Sequence, residues 1–135
     1  MQTIYEAKAS TNSQPIIERV KTFDDACKVV GLDKVQVGVA GLDDDTNSIF
    51  AYTKLVIIAK ALNEGWQPDW TDSNQRKYVP WFEHKSGFGL AYGICGSWDS
   101  VAAVGSRLCF KTAELAKYAA TQFADIYNDF LTTKK

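Results

Sequence analysis

The sequence predicts an α+β domain: an antiparallel sheet of about three or four strands packed against two long helices plus one short helix. Apolar residues recur at helical spacing in two stretches, one ending before Gly65 and one running from Leu115 to Phe130. Between these stretches, apolar residues alternate on both sides of Lys85-Ser86-Gly87, the pattern of a hairpin.

Residues 1–15 are polar and are expected to be loosely ordered, which leaves residues 16–135 as a single domain. Thr22 is placed to cap a short helix, with Asp24 and Asp25 in its first turn and Gly31 at its end. Val35, Val37 and Val39 alternate with Gln36 and Gly38, which fits a short strand or a loop. Asp43-Asp44-Asp45 followed by Thr46, Asn47 and Ser48 starts a long helix, and Gly65 stops it. Its residues Phe50, Leu55, Ile58, Ala59 and Leu62 share a face, while Val56 and Ile57 widen that face and point to burial on more than one side.

The hairpin is expected from Tyr78, Val79, Trp81 and Phe82 on one strand and Phe88, Leu90, Tyr92 and Ile94 on the other. Arg107-Leu108-Cys109-Phe110 is expected to return as a third strand before Thr112 caps the last helix. That helix carries Leu115, Tyr118, Ala119, Phe123, Ile126, Tyr127 and Phe130 as one apolar stripe. Helices then cover one face of the sheet and leave the other available.

Composition bounds the function. The 135 residues, 46% hydrophobic and 23% charged, are those of an ordinary globular domain. Fifteen Lys and Arg against sixteen Asp and Glu give a net charge of −1, without the basic excess that drives binding to duplex DNA. No stretch approaches the length of a membrane span, and the first residues lack the charged and apolar regions of a signal peptide. Cys27, Cys95 and Cys109 show no CxxC spacing and only one histidine is present, so a reduced cytosolic setting is expected, without a zinc site. The Asp43-Asp44-Asp45 run is explained as helix N-terminal acid; no metal and no cofactor are expected.

The main anomaly is aromatic density: all 4 tryptophans fall between Trp66 and Trp98, together with Tyr78, Phe82, Phe88 and Tyr92. Large aromatics serve a sheet core well, yet Trp66 and Trp70 sit among Pro68, Asp69, Asp72, Ser73, Asn74 and Gln75, which is loop chemistry. Loop aromatics beside short polar groups line recognition surfaces, and a pocket is expected there. Gly87, Gly89, Gly93 and Gly96 fit either close approach of a ligand or a sharply twisted sheet. The run GFGLAYG is no dinucleotide fingerprint, because it follows a turn inside a hairpin instead of joining a parallel strand to a helix.

Ser106 and Arg107 together offer a hydroxyl and a guanidinium to a phosphate or carboxylate, and Arg76 and Lys77 add positive charge. Solvated cations, or salt bridges to Asp69, Asp72 or Asp99, explain the same residues singly. Bases stack on Trp and Tyr while phosphates seek Arg, so a nucleotide-like ligand uses both features at once. A Cys-His site of His84 with Cys95 or Cys109, oriented by Glu83 or Asp99, has no diagnostic spacing; a surface histidine and small buried thiols account for it.

The segments Ala61-Leu-Asn-Glu-Gly-Trp-Gln-Pro-Asp-Trp, Lys77-Tyr-Val-Pro-Trp-Phe-Glu and Val104-Gly-Ser-Arg-Leu-Cys-Phe, with the Thr22-Phe-Asp-Asp-Ala-Cys helix, form a set. As a set they resemble small uncharacterised phage and prophage proteins, over most of residues 20–131. The resemblance implies a phage origin and the cytoplasm of an infected bacterial host, and it carries no catalytic residues.

These lines converge on an anti-defence protein, not an enzyme, that sequesters a nucleotide-derived immune signal without cleaving it. Trp66, Trp70, Asn74, Arg76, Tyr78, Trp81, Phe88, Tyr92, Trp98, Ser106 and Arg107 are the expected ligand-binding residues, with a homo-oligomer interface completing the site. One alternative is a single-stranded nucleic-acid module, weakened by a balance of five cations to four carboxylates between Trp66 and Lys111. The other is a structural or protein-interaction subunit whose aromatics form the interface.

Overall fold

Helices, rather than a sheet with helices laid on it, build the core of this chain. The computed structural model describes residues 14–33, 35, 41–83, 89–94 and 106–132, of which 43, 44, 81, 83, 89–94 and 106 are described by their backbone alone. Among the described residues are five α-helices: α1 (Ile16–Arg19), α2 (Phe23–Val30), α3 (Asp43–Asn63), α4 (Ala113–Gln122) and α5 (Ala124–Leu131). Two short strands, β1 (Pro80–Glu83) and β2 (Gly89–Ile94), form one antiparallel hairpin. The α+β expectation is therefore corrected: the described chain is predominantly helical, and no sheet of the expected size supports its helices.

The physical reason lies in α3. Ala51, Leu55, Ile57, Ile58, Ala59, Ala61 and Leu62 are all buried, and they are distributed around the helix instead of along one stripe. A helix apolar on several sides needs several partners. Helix α2 packs on it near the start of the chain and α5 near the end, with α4 and α1 completing the cover. Leu55 and Leu62 are at most 1% exposed, and each such burial contributes about 1.5–3 kcal/mol. The Ser48 hydroxyl donates to the Phe130 carbonyl at 3.0 Å, tying α3 to α5.

The short helix forms as its sequence dictates. The Thr22 hydroxyl accepts from the Asp25 N–H at 3.1 Å, while the Asp25 carboxylate accepts from the N–H groups of Lys21 at 3.0 Å and Thr22 at 3.1 Å. Those amides, Lys21's foremost, hold the Asp25 carboxyl below its ordinary pKa. Gly31 closes the helix at φ 83°, in the left-handed region. The preceding turn α1 was not expected; it follows Pro15 and buries Ile16, with Val20 buried just beyond it. Tyr118 of α4 donates its hydroxyl to the Val20 carbonyl at 2.5 Å, and Gln122 reaches the Lys21 carbonyl at 2.7 Å.

Two further elements differ from expectation. The C-terminal stripe is not one helix: it breaks at Phe123, whose φ of −115° and ψ of 31° separate α4 from α5. The break leaves both Phe123 and Tyr127 buried at 4% exposure, with the Phe123 ring edge-on to Tyr118 at 6.4 Å. Thr112 caps α4 as expected, accepting from the Leu115 N–H at 3.1 Å.

The third strand is also absent from residues 106–110. Ser106–Leu108 curl into a 3-10 turn, so only Phe110 pairs with Tyr78, through hydrogen bonds of 2.7 and 3.0 Å. The hairpin itself forms with Trp81 opposite Ala91 and Phe82 opposite Leu90, and its register shifts between Pro80 and Trp81. Phe82 lies against Tyr127 with ring centroids 5.0 Å apart, so the hairpin is an appendage to the helical core. Val35 lies in no strand; the rest of the expected valine strand, residues 1–13 and the hairpin turn lie outside the described residues. No helix among the described residues is long and apolar enough to cross a membrane.

Candidate functional site

The candidate site forms where the C-terminal end of α3 meets the segment leading into α4. Asn63, 4% exposed, is the clamp between them: its amide donates to the Cys109 carbonyl at 2.9 Å and accepts from the Lys111 N–H at 3.0 Å. Both hydrogen bonds are buried or half-buried, so the asparagine fixes the distance between two segments far apart in sequence.

Beyond Asn63 the chain turns sharply. Glu64 and Gly65 are both left-handed, at φ 50° and 91°, and the Trp66 N–H returns to the Asn63 carbonyl at 3.0 Å. The left-handed conformation costs a residue such as glutamate roughly 1–2 kcal/mol. Its carboxylate is held by Arg19 at 3.4 Å.

Residues 66–77 then form a loop stitched by its own polar groups. The Asp69 carboxylate accepts from the Thr71 hydroxyl at 2.6 Å and the Thr71 N–H at 2.9 Å, which lowers its pKa. The Asp69 N–H donates to the Gln75 side-chain carbonyl at 2.6 Å. Lys77, only 4% exposed, donates its ammonium to the carbonyls of Asp72 at 3.2 Å and Gln75 at 2.9 Å. The same ammonium lies 5.1 Å from the centre of the Trp70 ring, a cation–π contact that steadies an indole otherwise 36% exposed.

A cavity of about 320 Å³ opens between this loop, the end of α3 and the 3-10 turn. Trp66, Trp70 and Arg107, three of the expected ligand-binding residues, line it together. Lys60, Asn63, Gln67, Pro68 and Cys109 also line it and were not among those expected. Pro68 and Gln67 lie inside the loop that drew attention in the sequence. Lys60 and Asn63 sit one turn apart at the end of a helix, where a cation complements the helix dipole and gives no sign of a cavity. Cys109 is 2% exposed and reads in the sequence as a small core residue.

The electrostatics of the lining have one sign. Among the described residues, Lys60 and Arg107 are exposed cations with no carboxylate partner, and no Asp or Glu lines the cavity. The negative end of α3 offsets roughly half a charge, which leaves the site positive. Asn63 is 4% exposed and held on both sides, so among the described residues the exposed polar side chains of the lining are Lys60, Gln67 and Arg107. A second, smaller hollow of about 50 Å³ lies among Val79, Pro80, Phe82, Leu108, Tyr127, Phe130 and Leu131 and offers no charged group among the described residues. Burial pushes the pKa of the Tyr127 phenol up.

The other expected residues divide into four groups. Asn74 and Arg76 are exposed on the loop and do not line the cavity; Asn74 donates its N–H to the Asp72 carboxylate at 2.9 Å. Tyr78 is half-buried against the helical core and bridges Phe110, a structural position. Trp81 and Tyr92 are placed only as backbone positions of β1 and β2, and Ser106 as the first residue of the 3-10 turn. Phe88 and Trp98 lie outside the described residues, as do His84, Cys95 and Asp99 of the nominal Cys-His constellation. Comparison with protein-family models, with curated proteins and with solved structures found no match to this chain.

Proposed function

We propose that this protein binds a small nucleotide-derived anion in the cavity between Trp66, Trp70 and Arg107 and holds it without cleaving it. The observation that carries the reading is the pairing of two indoles with two unpaired cations, Lys60 and Arg107, around about 320 Å³ that no carboxylate lines among the described residues. Indole faces accept a base by stacking, and guanidinium and ammonium groups accept phosphate oxygens. The lining offers charge and hydrogen-bond donors, the means of holding an anion.

The resemblance to phage and prophage proteins extends the proposal to a role: sequestration of an immune signalling nucleotide in the cytoplasm of an infected host. Such a sink needs about −12 kcal/mol for nanomolar affinity, which an open cavity reaches when a second copy closes over the ligand. A homo-oligomer is therefore part of the proposal.

Native mass spectrometry of the purified protein, with and without a nucleotide panel, followed by denaturation and chromatography of the released ligand, tests it. Recovery of an unchanged bound nucleotide supports the reading. A processed nucleotide makes the protein an enzyme, and a defined oligomer that binds none of the panel favours a structural or protein-interaction role.

A further inference from the structure

We infer that the cavity accepts a single nucleoside monophosphate per chain, with its phosphate as a terminal dianion, in preference to linked dinucleotides. The inference rests on the nucleotide reading above and narrows it by size, charge and the free hydrogen-bonding groups.

Size sets the first limit. A cavity of about 320 Å³ is at the lower edge of small-molecule sites, which span roughly 300–1,000 Å³. One base with its ribose and phosphate matches that volume, and a second linked nucleotide would lie at the open side, outside these walls. The walls are not free to recede. Asn63 pins the α3 side to the Cys109 backbone at 2.9 Å, and Lys77 pins the loop carrying Trp70 at 2.9 and 3.2 Å.

Charge sets the second. Among the described residues, Lys60 and Arg107 are the cations of the lining, and neither has a carboxylate partner. A terminal phosphate carries close to two negative charges at neutral pH, its second pKa being about 6. A phosphodiester carries one. Two cations without carboxylate partners therefore match one doubly charged terminal phosphate better than a cyclic or bridging phosphate carrying one charge.

Hydrogen bonding sets the third. Asn63 is buried and held by Cys109 and Lys111, so among the described residues Gln67 is the exposed amide of the lining. One exposed amide, with a donor and an acceptor, matches the edge of one base.

Isothermal titration calorimetry of the full chain with AMP, GMP, adenosine, 3′,5′-cyclic AMP and cyclic di-AMP tests the inference, with Lys60→Ala and Arg107→Ala as variants. The expected result is one AMP or GMP per chain, with adenosine, cyclic AMP and cyclic di-AMP at least about tenfold weaker. Each variant loses at least about tenfold for the monophosphate while its circular dichroism stays that of the wild type. Affinity for the monophosphate also falls as pH drops below about 6, where the phosphate gains a proton. Cyclic AMP or cyclic di-AMP binding as tightly as AMP and GMP overturns this inference and leaves the nucleotide reading standing. Absence of binding by all five to the folded wild type overturns both.

Discussion

Removing the Asn63 side chain should cost the protein a large part of its stability, because this one amide serves two buried or half-buried backbone groups. In Asn63→Ala, the Cys109 carbonyl loses a 2.9 Å hydrogen bond at a residue 2% exposed, which costs about 1–3 kcal/mol for an unsatisfied buried acceptor. The Lys111 N–H loses a 3.0 Å bond in a half-buried position, worth a further ~0.5–1.5 kcal/mol. Together the loss is about 2–4 kcal/mol, and with a urea slope of about 2 kcal/mol/M the unfolding midpoint falls by roughly 1–2 M.

Asn63→Asp sharpens the test. The carboxylate retains an acceptor for Lys111 but opposes the Cys109 carbonyl with an oxygen, so at neutral pH it is at least as damaging as alanine. As pH falls, protonation restores a donor, and the variant recovers toward the wild type. Urea unfolding followed by circular dichroism reads both effects. An Asn63→Ala midpoint within about 0.3 M of the wild type, or an Asn63→Asp deficit indifferent to pH, would refute the clamp and with it the rigidity of the cavity wall.

Leu115→Ala should lose about 2–5 kcal/mol in the same urea assay, since this residue is 6% exposed in the helical core. Thr22→Ala should lose about 1 kcal/mol by removing the acceptor of the Asp25 N–H at 3.1 Å. Asp25, whose pKa is lowered chiefly by the Lys21 amide, contributes stability that is present above its ordinary value of 3.8 and lost as pH falls through its folded value. Asp25→Asn should therefore flatten the acid limb of a stability–pH profile, and an unchanged limb would contradict the assignment. Lys77→Met should leave α3 and its partners folded but loosen Trp70, seen as a shifted tryptophan fluorescence spectrum and easier proteolysis within residues 66–77.

Local signals were legible where a side chain acts on its own neighbourhood. Thr22, Asp25 and Gly31 specify α2 within ten residues, Thr112 specifies the start of α4, and the apolar spread of α3 shows in its Val56 and Ile57. What sequence could not supply was the partner of each apolar surface. Spacing predicts a sheet beneath the α3 surface, and its real cover is other helices. Arg107-Leu108-Cys109-Phe110 has strand-like composition, yet the chain curls at Ser106–Leu108 and leaves Phe110 to pair alone. The stripe from Leu115 to Phe130 keeps helical spacing across Phe123, so spacing alone gave no sign of the break there. At the site, the Trp66 and Trp70 loop announced itself by composition, and Arg107 by its neighbours. Lys60 and Asn63 did not, because their contribution depends on a segment more than forty residues away reaching the end of their helix.

The claim that most needs testing is that Trp66, Trp70, Lys60 and Arg107 form one anion-binding site. Quenching of tryptophan fluorescence by AMP and GMP, measured in the wild type and in Arg107→Ala, tests it most directly. The account predicts saturable quenching in the wild type and at least about tenfold weaker binding in Arg107→Ala at unchanged circular dichroism. Equal affinity in the two proteins, or no saturable quenching in the folded wild type, would contradict it.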